Sequence, residues 1–288
     1  MQEVQIKKWT VLELVKSAEE VFRKNNIDSP RLNADLLLAS ATGSTRFQLY
    51  LDFDKPLQEK EIIRFREMVK RRLNHEPLQY IIGKTEFFGM EFLVNQSVLI
   101  PRQETEHLVE ESIRIISGMN FKPKILEIGT GSGCISVSIA AKSVCEIDAI
   151  DISEEAIISA QKNSDTNNTS DKIKFEQKDF IFSFENFDNY IIVISNPPYI
   201  PIDEYKSLAP ELKDYEPKFA FTDDGDGLKF YQKIFECYLN TNDKPILILE
   251  IGDGKKNIIE ELLKKYSITN YNFSKDLIGI DRMLTVNS

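Results

Sequence analysis

Cysteine, histidine and tryptophan are scarce in this chain: three, two and one among 288 residues. Cys134, Cys145 and Cys237 form no close pair in sequence, which argues against a disulfide framework and suits a reducing cytoplasm. His75 and His107 alone make no convincing metal site. No apolar run is long enough to span a bilayer, and the start, Met1 to Lys8, lacks the apolar core of a signal peptide. Positive charge is in deficit as well, with 36 Lys and Arg against 46 Asp and Glu. A net charge of −10 opposes binding to DNA or to an anionic membrane. The short run Lys70-Arg71-Arg72 beside His75 reads either as a solvated helix end or as a local patch for RNA or an acidic partner. There is no internal repeat.

What is present falls into two parts. From Trp9 to Phe22, the positions Val11, Leu12, Leu14, Val15, Ala18, Val21 and Phe22 recur at helical spacing. Ser29-Pro30 offers a cap and a first-turn proline for a second helix, which Gly43 ends. Helices over Thr45 to Leu51 and from Leu57 to about Leu73 complete an all-helical unit. Tyr80 to Val94 alternates as a β-hairpin turning near Gly89. From about Glu104 strand and helix patterns alternate, the mark of a parallel sheet covered on both faces. Asn163 to Ser170 is polar and Asn-rich and is expected to be a flexible loop. The expected domains are 1–77, a linking hairpin at 78–98, and 99–288.

Two segments carry chemistry. Ile125 to Ile128 reads as a strand reaching the turn Gly129-Thr130-Gly131-Ser132-Gly133-Cys134, which runs into a helix at Ile135 to Ala140. Glycines permit a tight turn and close approach of a ligand, and the helix beyond offers free N–H groups. The spacing is not that of the dinucleotide fingerprint, because position 134 is Cys. A second strand, Glu146 to Ile150, ends at Asp151, about 20 residues past the glycines, where a carboxylate reads a ribose diol. Asp151 or Ser153 equally suits capping of the helix near Glu154. After a third strand, Ile173 to Gln177, Asp179 and Phe180 fit an adenine amino group and ring, or else a surface turn with a core phenylalanine. The second segment is Asn196-Pro197-Pro198-Tyr199, directly after the buried-strand run Ile191 to Ser195. Neither proline can donate to a ladder, so the strand stops there. A carboxamide oxygen and a proline carbonyl side by side can each accept one hydrogen from a single –NH2 group, with the tyrosine ring packed on the flat group. The same residues also make an ordinary strand-ending turn.

Taken together, Glu127 to Gly133, Asp151, Asp179-Phe180 and Asn196 to Tyr199 resemble the class I S-adenosylmethionine-dependent methyltransferases of the Asn-Pro-Pro-Tyr type. Val98 to Val109, with Pro101-Arg102-Gln103-Glu104-Thr105-Glu106 at its centre, resembles one branch: the protein-(glutamine amide) methyltransferases of peptide-chain release factors, the PrmC/HemK family. So do Leu78 to Gly83, Phe87 to Phe92, Tyr215-Glu216-Pro217 with Ala220, Asp226-Gly227-Leu228, and Asp276-Leu277 through Gly279 to Arg282. Gln103 departs from the family, which usually has a second proline there. The resemblance implies an α/β fold: a Rossmann-like seven-stranded methyltransferase domain, closed by an antiparallel edge at Tyr271 to Ser274 and Asp281 to Val286, preceded by a small all-α release-factor-recognition domain and the linking hairpin. It implies S-adenosylmethionine as donor and S-adenosylhomocysteine as product, held by Glu127, Gly129, Thr130, Gly131, Ser132, Gly133, Asp151, Asp179, Phe180 and Asn196. It makes Asn196, Pro197 and Tyr199 catalytic and places the substrate on Asn196, Pro197, Pro198 and Tyr199, with no metal. The implied acceptor is the glutamine of the Gly-Gly-Gln loop of class-1 release factors, in the cytoplasm, with no membrane and no direct nucleic-acid contact. The alternatives are an amino-methyltransferase acting on nucleic acid, a silent cofactor-binding scaffold and, disfavoured by the glycine spacing, a dehydrogenase.

Overall fold

The computed structural model describes residues 8–276 and 278–287. The start of the chain at 1–7, where no signal-peptide core was read, and Leu277 of the C-terminal family match fall outside the described residues. Two units are separated by contact: Met1–Gly83 and Lys84–Ser288.

Among its described residues the first unit holds five helices: α1 (Val11–Lys24), α2 (Pro30–Thr42), α3 (Arg46–Leu51), α4 (Glu59–Leu73) and α5 (Leu78–Ile82). Thr10 and Glu13 close a reciprocal capping box at the start of α1, and Thr45 with Gln48 does the same for α3. Val11, Leu14, Val15, Ala18 and Phe22 of α1 bury one face against Leu37 and Leu38 of α2 and Phe65 and Met68 of α4. Gly43 ends α2 in the left-handed conformation, as expected. Ser29 makes no side-chain cap, however. Asn33 reaches back instead, and its Nδ2 donates to the carbonyls of Asp28 (2.8 Å) and Ser29 (3.2 Å). The basic run is only partly solvated. Arg72 is buried, and its Nε donates to Asn33 Oδ1 at 2.8 Å.

The second unit opens with a hairpin, β1 (Lys84–Phe87) and β2 (Met90–Leu93), reversing through Phe88 and Gly89, both at positive φ. It begins later than Tyr80, because Leu78–Ile82 is helical and Gly83 ends that helix at positive φ. Then follow α6 (Glu106–Ser117), β3 (Lys124–Ile128), α7 (Cys134–Lys142), β4 (Glu146–Asp151), α8 (Glu154–Thr166), β5 (Ile173–Gln177), α9 (Phe180–Ser183), β6 (Ile192–Ser195), α10 (Ile202–Tyr205), α11 (Pro210–Lys213), α12 (Lys229–Asn240), β7 (Ile246–Glu250), α13 (Lys256–Lys265), β8 (Tyr271–Lys275) and β9 (Asp281–Val286). The seven-stranded sheet has the order β5-β4-β3-β6-β7-β9-β8. It is parallel except for β9, which runs antiparallel between β7 and β8. Alternate strand residues point to opposite faces. Leu126, Val193, Leu247 and Leu249 meet α12 and α13 on one face, while Ile125, Ile192, Ile194 and Ile248 meet α6 and α7 on the other. Among the described residues no helix is long and apolar enough to cross a membrane.

One expectation is overturned. The segment from Asn163 is not a free loop, because α8 continues to Thr166 and Asn163 is fully buried within it. Its carboxamide accepts from Leu93 N (2.7 Å) and donates to Leu93 O (3.0 Å) and Ser132 O (2.9 Å). One side chain therefore ties the hairpin to the glycine loop. Asn163→Ala strands these groups, so we expect a loss of about 1–3 kcal/mol, read as a lower midpoint for the second unit in urea unfolding; an unchanged midpoint would refute the tie.

Candidate active site

The sheet reverses its winding between β3 and β6, which pair in parallel with Ile128 opposite Ser195. Ligands bind at the carboxyl ends of strands at such a point, and both chemistry-bearing segments begin there. The loop after β3 is anchored by Gly129 N and Thr130 N, which donate to Ile150 O at 2.9 and 3.0 Å. Gly129, Gly131 and Gly133 all take positive φ. They differ in what surrounds them. A Cβ on Gly133 would lie 3.0 Å from Ala160 Cβ, so this glycine lets α7 pack against α8. A Cβ on Gly129 or Gly131 would meet nothing within 4 Å, so those two border open space.

Three carboxylates surround the loop. Glu127 is buried, and its Oε2 accepts from Thr130 Oγ1 at 2.7 Å. Its Oε1 has no partner, nor has the buried Ser132 Oγ. Burial pushes the Glu127 pKa up to about 7, against the lowering pull of the Thr130 and Ser136 hydroxyls. Asp151 is also buried and its pKa is raised by desolvation, although Gly131 N (2.9 Å) and Ser153 N (3.0 Å) both donate to it. The helix cap is Ser153, whose Oγ accepts from Ala156 N, so Asp151 is not consumed in capping. Asp179, by contrast, caps α9 through Ile181 N at 2.9 Å. The Phe180 ring is buried with Phe184 and stacks on Phe187.

At the end of β6, Asn196 Nδ2 donates to Thr105 Oγ1 at 3.3 Å, and Thr105 Oγ1 donates to Glu250 Oε2 at 2.7 Å. Glu250 ends β7 and is buried, and its pKa is raised to about 7 by burial. Its other oxygen accepts from Tyr199 OH at 3.3 Å. Tyr199 is held from both sides. A Cβ on Gly227 would come within 2.4 Å of the Tyr199 carbonyl oxygen, and one on Gly252 within 2.8 Å of its ring.

A single cavity is lined by Gly129, Thr130, Gly131, Ser132, Asp151, Asp179, Phe180, Asn196 and Pro198 of the expected residues. Glu127, Gly133, Pro197 and Tyr199 do not line it: Glu127 sits behind Thr130, Pro197 is buried, and Tyr199 braces the tetrapeptide from behind. The lining also includes Arg102, Thr105, Pro217 and Phe219. Arg102 pairs with the buried Glu216, which also accepts from Ile100 N at 3.0 Å, so the 100–102 strap is pinned beside the cavity. In the sequence Thr105 and Glu216 stand out only as parts of a family pattern, and Glu250 belongs to no motif. An acid closing the apolar run Ile246 to Leu249 was the available signal. Gln103 is exposed in a short 3-10 turn that leads without interruption into α6.

A doubly wound sheet with these two segments at its switch point defines a Rossmann-like methyltransferase. The solved hMettl16 catalytic domain in complex with a MAT2A 3′ UTR hairpin shares the fold, with a TM-score of 0.57 at 17% identity over 80% of this chain and 82% of that one. The family model of the PrmC N-terminal domain matches residues 13–83, and that of the methyltransferase small domain matches residues 109–209. The chain is 35% identical to the release factor glutamine methyltransferase of Rhodopirellula baltica, over 96% of each chain. It is 37% identical to that of Bacillus subtilis, over 87% of this chain and 89% of the relative. This chain belongs to the release factor glutamine methyltransferase family.

The two classes of glycine are separable by experiment. Gly129→Ala is expected to cost only the left-handed penalty, about 1–2 kcal/mol. Gly227→Ala adds a collision with the Tyr199 backbone and should cost more. Equal losses in chemical unfolding would contradict the reading of Gly129 as bordering open space.

Proposed function

We propose that this protein transfers a methyl group from S-adenosylmethionine to the side-chain amide nitrogen of the glutamine in the Gly-Gly-Gln motif of class-1 peptide-chain release factors, supporting translation termination. The observation that carries this reading is Asn196, whose carboxamide nitrogen is tied back to Thr105 and whose oxygen is thereby left as an acceptor at the cavity.

The site fits the donor. Glycines 129 and 131 border open space, and Glu127 keeps one buried oxygen without a partner. When bound, S-adenosylmethionine supplies a methyl carbon made electrophilic by a sulfonium and leaves as neutral S-adenosylhomocysteine. Glu127 behind the loop provides negative charge for its cationic end. Each oxygen of Asp151 accepts one backbone N–H and has a lone pair left for a ribose hydroxyl. Asp179 and Phe180, which line the cavity, would hold the adenine, the Phe180 ring being fixed by its stacking on Phe187. The acceptor needs the most help, because an amide nitrogen shares its lone pair with its carbonyl. The Asn196 oxygen accepts an amide hydrogen at the cavity and stabilises the positive charge that grows on nitrogen as the bond forms, whereas Pro197, which does not line the cavity, takes no part in this contact. Tyr199 acts through position, bracing the tetrapeptide. The proton becomes acidic only after transfer and leaves to water.

The helical first unit reads the body of the release factor, and the second takes its loop. Three unpaired, buried cysteines support a place in the cytoplasm. A nucleic-acid base as acceptor would face a chain of net charge −10. Incubation with labelled donor and purified release factor, followed by peptide mass spectrometry, tests the substrate: label away from the Gly-Gly-Gln glutamine would reject it.

Asn196→Ala should lower turnover on the order of 100-fold or more while donor affinity changes little. A near-normal single-turnover rate at saturating donor and release factor would sink this role for Asn196. Donor affinity should itself depend on pH. A cationic ligand favours ionised Glu127, whose pKa stands at about 7 without it, so binding below that pH must expel a proton. One such proton makes affinity about fivefold weaker at pH 6 than at pH 7. Calorimetric titrations giving the same affinity at both would remove Glu127 from the donor site.

A further inference from the structure

The carboxamide of Asn196 has two orientations of nearly equal shape and opposite chemistry. With its oxygen toward the acceptor it grips an –NH2 group, and with its nitrogen there it presents hydrogens to hydrogens. We propose that Thr105 and Glu250 are positioning residues that select the first orientation. This inference rests on the methyl-transfer reading above.

The selection follows from counting donors. An ionised carboxylate only accepts hydrogen bonds, and a threonine hydroxyl has one hydrogen to give. Glu250 Oε2 takes the Thr105 hydrogen at 2.7 Å, and Oε1 takes that of Tyr199 at 3.3 Å. Toward Asn196, Thr105 Oγ1 can then only accept. The group facing it must be the carboxamide nitrogen, as observed at 3.3 Å. The Asn196 oxygen is turned away from Thr105, leaving it for the substrate. Thr105 and Glu250 are both buried, so water does not readily scramble this polarity.

Protonating Glu250 removes the constraint. A neutral carboxyl can give its own hydrogen to Thr105, which frees the Thr105 hydrogen to meet the Asn196 oxygen. The groups that bear on Glu250 are the hydroxyls of Thr105 and Tyr199, the cation of Arg282, the anion of Glu104, the buried thiol of Cys134 and the hydroxyl of Tyr231, which donates to the Glu250 carbonyl at 2.6 Å. Burial outweighs the lowering by Thr105, Tyr199 and Arg282 and raises the Glu250 pKa to about 7. The chemical step should therefore gain rate as pH rises through about 7 and level off above it.

The experiment is the single-turnover rate of methyl transfer to a purified release factor from pH 6 to 9, at saturating donor so that Glu127 titration is masked. Wild type is expected to show the rise. Thr105→Val should lose at least tenfold in the chemical rate at saturating donor, and Thr105→Ser, which keeps the hydroxyl, should recover most of it. Glu250→Gln should be slower, with no rise near pH 7. Thr105→Val at wild-type rate, Thr105→Ser as impaired as Thr105→Val, or a wild-type rate flat in pH would each overturn the proposal. Should a variant fail to fold, the wild-type pH profile still decides. If wild type transfers no methyl to the release-factor glutamine, the functional reading itself fails. If it does and Thr105→Val matches it, only the positioning role falls.

Discussion

The parallel pairing of β3 with β6 is the constraint on which the site depends. Ile128 lies opposite Ser195, and the Ser195 hydroxyl donates to the Ile128 carbonyl at 2.8 Å. These are the last residues of their strands, so the glycine loop and the tetrapeptide leave the sheet side by side. A slip of one residue in this register would turn every side chain of one strand to the other face. Asn196 would then no longer stand beside the loop. Both strands are buried on both faces, which makes such a slip expensive and the juxtaposition rigid.

Around that seam the unit holds two buried carboxylates with one strained property in common. Glu127 and Glu250 both have pKa values raised to about 7 by burial, one behind the glycine loop and one behind the tetrapeptide. In each case the unfolded chain ionises at lower pH than the folded one. Their burial therefore weakens the fold as pH rises from the ordinary value of 4.5 to about 7, and by a constant amount beyond. A fold selected for stability alone has no use for such groups. Their placement is intelligible as preorganisation: negative charge for a cationic donor on one side, a fixed hydrogen-bond polarity on the other. Hydroxyls from Thr130 and Thr105 tie the two acids to the segments they serve.

Support for the loop comes from farther along the chain. Asn163, in the last turn of α8, joins Leu93 of the hairpin to Ser132 of the glycine loop. Gly133 lets α7 approach Ala160 of the same helix. On the opposite rim, Glu216 holds the Arg102 strap through a charged pair and a backbone N–H. The linking hairpin thus belongs with the methyltransferase unit by contact, and it contributes to the stiffness of the loop.

Local pattern was enough for the strands Ile125 to Ile128 and Ile192 to Ser195, short and largely apolar runs stopped by glycine and by Asn-Pro-Pro, and for Ile173 to Gln177, where Ile173 and Phe175 alternate with charged residues. It was enough for α1 and α4, whose apolar stripes repeat at helical spacing, and for the chemical promise of Gly129 to Gly133 and Asn196 to Tyr199. Asn163 looks like a loop residue by composition, whereas its three partners come from 31 and 70 positions away. Glu250 and Thr105 stand 145 residues apart, so no periodicity could join them. Nor could the sequence tell that Gly129 borders open space while Gly227 lies against Tyr199, since both are simply glycine. The sequence by itself determined which backbone shapes and functional groups were on hand, because those follow from side chains and near neighbours. Which carboxylate became buried, which hydroxyl gives its hydrogen and which way Asn196 turns were decided only when the sheet brought distant strands into register.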